Sequence, residues 1–160
     1  MGCRLWVVSC LRAFTLIEIL ISVAVVAILA AIVFDGLNSF RESGDLSRAA
    51  DLAADVLNKA KTQSLASKQK SVYGVHFAST TVTLFKGNVY ASTSPSNEVT
   101  VLPSLIEVFS LSLSSTSPDI VFKRLTGETD NFGTITFRSK RNQDKIKVIE
   151  IYNSGLVEIK

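Results

Sequence analysis

With 160 residues, the chain has room for one modest domain beside any membrane segment. Its 47% hydrophobic content and mean hydropathy of +0.32 are high for a soluble domain, and a formal charge of +3 is too small to argue by itself for a nucleic-acid partner. Both cysteines, Cys3 and Cys10, precede residue 14, so the rest of the chain has neither a disulfide nor a cysteine-bound metal.

The first predicted element is an apolar run over residues 14–34, in which Glu18 is the only charged side chain. As a helix rising about 1.5 Å per residue it spans roughly 31 Å, close to the hydrocarbon core of a bilayer. A soluble core helix of that length would show a polar face, and this run has none. A cleaved secretory signal has an apolar region of about 7–15 residues and a small-x-small site. Here the run is longer, and Asp35-Gly36-Leu37 supplies no such site. Too short an apolar stretch precedes Val8-Ser9-Cys10 for a lipoprotein signal, and Trp6 stands where a myristoylation motif needs Ser or Thr. The expectation is a retained single-pass span. Arg4 and Arg12 precede it and the first cation after it is Arg41, so the positive-inside tendency puts the N-terminus in the cytoplasm and residues 35–160 outside.

Glu18 then sits about one turn into the membrane, where a lone carboxylate is unfavourable. No Lys, Arg or His between Phe14 and Phe34 offers it a partner. One answer is that Glu18 snorkels to the interface or is protonated. Another is a cut between Ala13 and Phe14, which creates a new α-ammonium at the head of the helix. A neighbouring chain's Glu18, offset by about one turn, would pair with that amine in a low-dielectric setting and set the stagger between packed helices.

Arg12-Ala13-Phe14-Thr15-Leu16-Ile17-Glu18, followed by the apolar run, resembles the N-terminal signature of type IV pilins and type II secretion pseudopilins. The resemblance covers about residues 12–34. It implies a leader over residues 1–13, removed before Phe14 by a prepilin peptidase that also methylates the new N-terminus. Arg12, Thr15, Leu16 and Ile17 would serve peptidase recognition, and Glu18 would serve assembly. Ala13 replaces the Gly usual before the cut. Leu5-Trp6-Val7-Val8 gives the leader an apolar patch where family leaders are polar, which leaves open a start downstream of Met1. The implied partners are the peptidase, other pilin or pseudopilin subunits packed through the helix, and an inner-membrane assembly platform. The implied location is the bacterial cytoplasmic membrane, then a filament. Without residues 1–13 the chain carries 15 cationic and 14 acidic residues and no cysteine.

Beyond the span, Leu46, Ala49, Ala50, Ala53, Val56, Leu57 and Ala60 recur at three- and four-residue intervals, an amphipathic helical pattern within residues 35–70. Asp55 and Lys59 stand at i,i+4 and are expected to pair. Gly36 and Gly44 interrupt the join, so the two halves form either one rod or two helices with a loop between them. The resemblance favours the rod.

From residue 71 the period becomes two. Tyr73, Val75 and Phe77 alternate with Gly74 and His76, and Val82 and Leu84 with threonines. Phe109, Leu111 and Leu113 alternate with serines, and Ile135 and Phe137 with Thr134, Thr136 and Arg138. This predicts half-buried antiparallel strands over residues 71–160. Lys86-Gly87-Asn88 reads as a hairpin turn between Thr81–Phe85 and Val89–Ser92, and Asn153-Ser154-Gly155 as another. The expected fold is α+β, a long N-terminal helix packed on a C-terminal antiparallel β domain. Together with the closing hairpin, it resembles the GspH/FimT-like minor pseudopilins.

Catalysis finds no support. His76, the only histidine, lies mid-strand among aromatic residues and reads as structural. No spacing suggests a metal site, nucleophile elbow or phosphate loop, so no cofactor is expected. A cationic group, Lys123, Arg124, Arg138, Lys140, Arg141, Lys145 and Lys147, admits two readings. One is a solvated strand edge guarded by lysines. The other is DNA contact during uptake, carried by Arg138, Lys140, Arg141 and Lys145. The expected function is a minor pilin or pseudopilin subunit. Its alternatives are a DNA-binding minor pilin, or an unprocessed single-pass membrane protein with a ligand-binding β ectodomain.

Overall fold

The computed structural model describes residues 15–160, and within residues 32–38 the helical backbone alone. Its elements are α1 (Leu16–Leu65), a 3-10 turn (Lys68–Lys70), β1 (Tyr73–Phe77), β2 (Thr81–Lys86), β3 (Glu98–Val101), β4 (Ile106–Leu113), β5 (Asp119–Phe122), β6 (Gly133–Ser139), β7 (Ile146–Ile151) and β8 (Val157–Ile159). Neither Gly36 nor Gly44 ends α1. The chain divides into two compact units, one reaching to Ser39 and the other spanning Phe40–Lys160.

The described part of the first unit is helical from Leu16. Its ten large aliphatic side chains from Leu16 to Leu29 are each between 50% and 79% exposed. They point in every direction around the helix, because the sequence offers no polar face. Among the described residues no helix is long and apolar enough to cross a membrane. The span expected over residues 14–34 runs past the described side chains at both ends, at Phe14 and at residues 32–34.

In the second unit, Leu46, Ala49, Ala50, Ala53, Val56, Leu57 and Ala60 are all buried. Their spacing puts them on one face of α1, and the four alanines among them leave room for β structure to lie close to the helix. Two four-stranded antiparallel sheets cover that face, in the orders β3-β2-β1-β5 and β4-β6-β7-β8. The first sheet contributes Tyr73, Val75, Phe77, Val82, Leu84, Ile120 and Phe122 to the core. The second contributes Ile106, Ile135, Phe137, Ile149 and Ile151. Within each strand these are alternate positions, as a pleated strand with one buried face requires. Burying each large side chain is worth about 1.5–3 kcal/mol. The result is the expected α+β arrangement of a helix packed on an antiparallel β domain.

Three local expectations fail. β4 is not one uninterrupted alternation: its register against β6 shifts between Val108 and Ser110. The bulge flips the phase, so Ile106 and Val108 before it and Leu111 and Leu113 after it all pack toward the core, while Phe109 is turned out and 53% exposed. Second, the chain does not return from Lys86-Gly87-Asn88 as a strand over Val89–Ser92. Gly87 does take the left-handed φ of +111°, but the strand paired with β2 is β3, reached only after residues 87–97. Pro95 lies in that stretch, and local bonds compete with a ladder there: Ser94 N–H to the Ala91 carbonyl at 3.1 Å and Asn97 Nδ2 to the same carbonyl at 2.8 Å. Third, Lys59 pairs with Glu98 of β3 rather than with Asp55.

The turn at Asn153-Ser154-Gly155 forms as read. Tyr152 N–H meets the Leu156 carbonyl at 2.9 Å, and Gly155 has φ +72°. A Cβ at Gly155 would lie 2.1 Å from the Gly127 carbonyl oxygen, so glycine is needed there for close approach as well as for conformation.

Candidate functional site

The candidate site lies at the head of α1, and its described part begins at Thr15. Thr15 caps the helix: its Oγ1 accepts the Glu18 backbone N–H at 3.2 Å, and its carbonyl accepts those of Glu18 and Ile19 at 3.1 and 3.3 Å. Thr15-Leu16-Ile17-Glu18 has capping-box spacing, the sequence signal for this role, which a reading of Thr15 as a peptidase contact passes over. Leu16 and Ile17 are exposed. Glu18 stands in the first turn, where the positive end of the helix favours an acid. Its carboxylate is exposed and has no partner among the described residues. Arg12, Ala13 and Phe14, the expected cleavage and methylation positions with the basic residue before them, lie outside the described residues.

The cationic residues of the second unit are brought into several separate contacts. Arg138 on β6 donates from Nη2 to Glu107 Oε1 at 2.7 Å, and its guanidinium carbon lies 3.7 Å from the Phe109 ring centroid. That cation–π contact covers the ring the bulge turns outward. Lys140 Nζ reaches the Ser104 carbonyl at 3.1 Å, and Arg141 is exposed. Lys123 pairs with Asp130 at 2.6 Å, and Arg124 donates to the Lys70 carbonyl at 3.2 Å. Lys145 Nζ lies 3.3 Å from Glu42 Oε2 and 3.2 Å from Ser43 Oγ.

Glu42 is the residue that sequence reading missed. In Arg41-Glu42-Ser43 it looks like one more solvated charge, yet it is 6% exposed. Its Oε1 accepts the Ser139 hydroxyl, and Ser139 Oγ in turn accepts the Arg141 and Asn142 N–H groups at 3.2 and 3.3 Å. The Ser139 hydrogen bond, helped by Lys145, holds the Glu42 carboxyl below its ordinary range despite the opposing effect of burial. The arrangement fastens the β6–β7 loop to α1.

On the outer face of the first sheet, Tyr90 from the β2–β3 connection stacks on His76 at 3.9 Å, and His76 Nδ1 lies 2.6 Å from Asp119 Oδ1. Beside them is an open groove of about 450 Å³, lined by Val72, Val89, Val121, Ser115, Ser117, Asp119, Lys123, Asp130 and Asn131 among others. Several of its polar groups are already engaged. Asp119 is held by His76 and Lys123 by Asp130, while Asn131 bonds the Ser115 N–H and the Ser117 and Asp119 carbonyls at 3.0, 3.0 and 2.7 Å.

The family model described as the prokaryotic N-terminal methylation motif matches residues 11–34. Among curated proteins none matches the sequence. Two crystal structures of the type IV minor pilin FimU from Pseudomonas aeruginosa strain PAO1 are similar in fold. One, in space group P65, has a TM-score of 0.52 at 14% identity, covering 72% of this chain and 92% of that one. The other, in P21, has 0.54 at 15% identity, covering 76% and 92%. The chain thus carries the prokaryotic N-terminal methylation motif at its head and, behind it, a fold similar to that of this type IV minor pilin.

Proposed function

We propose that the chain is a minor pilin or pseudopilin, cut before Phe14 by a prepilin peptidase, methylated there, and built into a filament through the head of α1. The observation that carries this reading is the band of exposed aliphatic side chains from Leu16 to Leu29 directly behind the motif, with Glu18 as its one charge. A helix apolar on all sides needs lipid or other helices around it. Before assembly it is anchored in the inner membrane, with its second unit outside. After assembly the same side chains pack against neighbouring subunits. Glu18 then takes the methylated amine of a neighbour's Phe14 as its counter-ion, a partner that no residue of its own helix supplies. The closeness to GspH/FimT-type subunits is part of this reading and rests on the helix leading into a β-sandwich-like domain.

Intact-mass analysis of membrane-extracted protein tests the processing step. A mass beginning at methylated Phe14 is expected, and retention of Met1 overturns it in favour of an unprocessed membrane protein. Glu18→Gln tests the assembly step: the variant is expected to be processed normally but lost from sheared or purified filaments. Undiminished incorporation overturns the proposed pairing.

A further inference from the structure

Three parts of the second unit meet where the chain enters it. Phe40 and Arg41 open the unit on α1. The β6–β7 loop, residues 140–145, is fastened beside them: Ser139 bonds Glu42, and Lys145 Nζ lies 3.3 Å from Glu42 Oε2 and 3.2 Å from Ser43 Oγ. The β3–β4 turn joins through Lys140, whose N–H reaches the Leu105 carbonyl at 2.8 Å and whose Nζ reaches the Ser104 carbonyl at 3.1 Å. β7 then carries the chain away from this end. At the turn that follows it, a Cβ on Gly155 would lie 3.3 Å from Lys61 Cε. Lys61 is nineteen positions beyond Glu42 on α1, a rise of about 28 Å.

The side chains at the entrance combine exposed apolar surface with uncompensated cations. Phe40 is 81% exposed, more than any other large apolar side chain among the described residues, and Ile146 and Leu105 are 53% and 38% exposed. Lys145 takes Glu42, Arg138 takes Glu107, and Asp45 lines a groove together with Arg48. Asp144 is then left against Arg41, Lys140 and Arg141, none of which forms a salt bridge among the described residues.

We propose that, before assembly, this end of the second unit seats on the anionic headgroups of the bilayer that holds the apolar run. The proposal rests on the membrane anchoring of that run. Phe40 follows Phe34 by six residues, which span at most about 21 Å when fully extended. A membrane that holds the run therefore keeps its surface within that reach of Phe40 and Arg41. Apolar side chains flanked by cations suit such a surface: the former enter the headgroup layer, and the ammonium and guanidinium groups meet lipid phosphates. A nucleic acid would use the cations alone and leave Phe40, Leu105 and Ile146 in water.

The test uses the full chain with Cys3→Ser and Cys10→Ser, reconstituted in lipid nanodiscs that contain a headgroup-nitroxide lipid to quench a nearby fluorophore. Gln143→Cys puts the fluorophore on the β6–β7 loop. Ser154→Cys puts it on the β7–β8 turn, at an end that also carries cations, Lys61, Lys68 and Lys70. In discs containing phosphatidylglycerol, quenching is expected at the first label and not at the second. Phosphatidylcholine alone should remove it, as should salt of about 1 M, where the screening length falls to about 3 Å. Lys140→Glu with Arg141→Glu should also remove it, and Asp144→Asn, at an exposed carboxylate, should strengthen it. A chain that does not enter the discs would overturn the anchoring and this contact together. In an inserted chain, equal quenching of the two labels, or quenching at Gln143→Cys that neither lipid charge nor the charge variants change, would overturn the headgroup contact alone. A label that responds to random duplex DNA and not to phosphatidylglycerol would do so too, and would give the cations to nucleic acid.

Discussion

Between Leu16 and Leu29, aliphatic side chains stand exposed around Glu18; between Leu46 and Ala60, aliphatic side chains of the same helix are buried beneath two sheets, and Glu42 just before them is held by Ser139 and Lys145. The two stretches are built from similar residue types, and the difference lies in where each finds its partners. The second unit satisfies itself: its apolar stripe meets sheets, and its buried acid meets a hydroxyl and an ammonium. In the first unit, neither the aliphatic side chains from Leu16 to Leu29 nor the Glu18 carboxylate is buried or paired among the described residues. On the proposed function, contacts with lipid and with neighbouring subunits are what cover them.

A pair of truncations is the strongest way to break this contrast. Phe137→Ala empties a fully buried site between sheet and helix and should destabilise the second unit by about 3–5 kcal/mol. Ile21→Ala removes aliphatic volume from an exposed site and should leave the unfolding of the second unit unchanged. All three tyrosines, Tyr73, Tyr90 and Tyr152, lie in the second unit, so with Trp6→Phe throughout, the tyrosine band in near-ultraviolet circular dichroism during a thermal scan of detergent-extracted protein follows that unit. Equal shifts from the two variants would remove the distinction between the units.

Gly155→Ala should come next. It forces a Cβ to within 2.1 Å of the Gly127 carbonyl oxygen at a residue with φ +72°. Strain of this kind is worth about 1–3 kcal/mol, and the same thermal scan measures it. Ser154→Ala, one residue earlier and exposed, should shift nothing.

How much of this was legible in the sequence depends on the range of the interaction. The motif around Phe14 and the buried faces of α1, β1, β2 and β6 are written in local spacing, because helix and strand periods put neighbours in sequence on one face. The phase flip in β4 is not, since a bulge at Phe109 leaves the pattern Phe-Ser-Leu-Ser-Leu unbroken as text. β3 escaped because Glu-Val-Thr-Val is only four residues and follows a stretch rich in serine. Glu98 drew Lys59 away from Asp55 across 39 positions of sequence, and Ser139 buried Glu42 across 97. No window along the chain sees such pairs. At the candidate site Thr15 was the exception in the other direction: its capping role follows from Thr-x-x-Glu alone.

The contrast between the two acids sharpens with pH. The Glu42 carboxyl titrates below 4.5 in the folded chain and near 4.5 when unfolded. Between those two values the unfolded chain binds more protons, so stability falls as the medium is acidified through that window. Glu42→Gln should flatten this acid limb of the melting temperature, and Glu18→Gln should leave it as it is. An acid limb unchanged by Glu42→Gln would mean that the Ser139 and Lys145 contacts do not distinguish the charged from the neutral carboxyl.

The smallest effect is expected at the opposite end of the pH scale, on the hairpin of β7 and β8. Glu150 and Glu158 face each other across that ladder, like charges that would repel. The Tyr152 hydroxyl lies 3.0 Å from an oxygen of each and shares its one proton between them, and Lys160 pairs with Glu150. Hydrogen bonds to Glu158 and then Glu150 push the tyrosine up to about 12, from 10.0 when unfolded. Over that interval the folded chain keeps a proton that the unfolded chain has lost, so stability is present below pH 10 and drains away as pH rises toward 12. Lys160, raised by Glu150, acts in the same direction. Tyr152→Phe should therefore reduce the alkaline slope of the melting temperature without abolishing it, and Tyr152→Phe with Lys160→Gln should reduce it further. If the single variant leaves the slope intact, the two glutamates are kept apart by solvent rather than by the phenol.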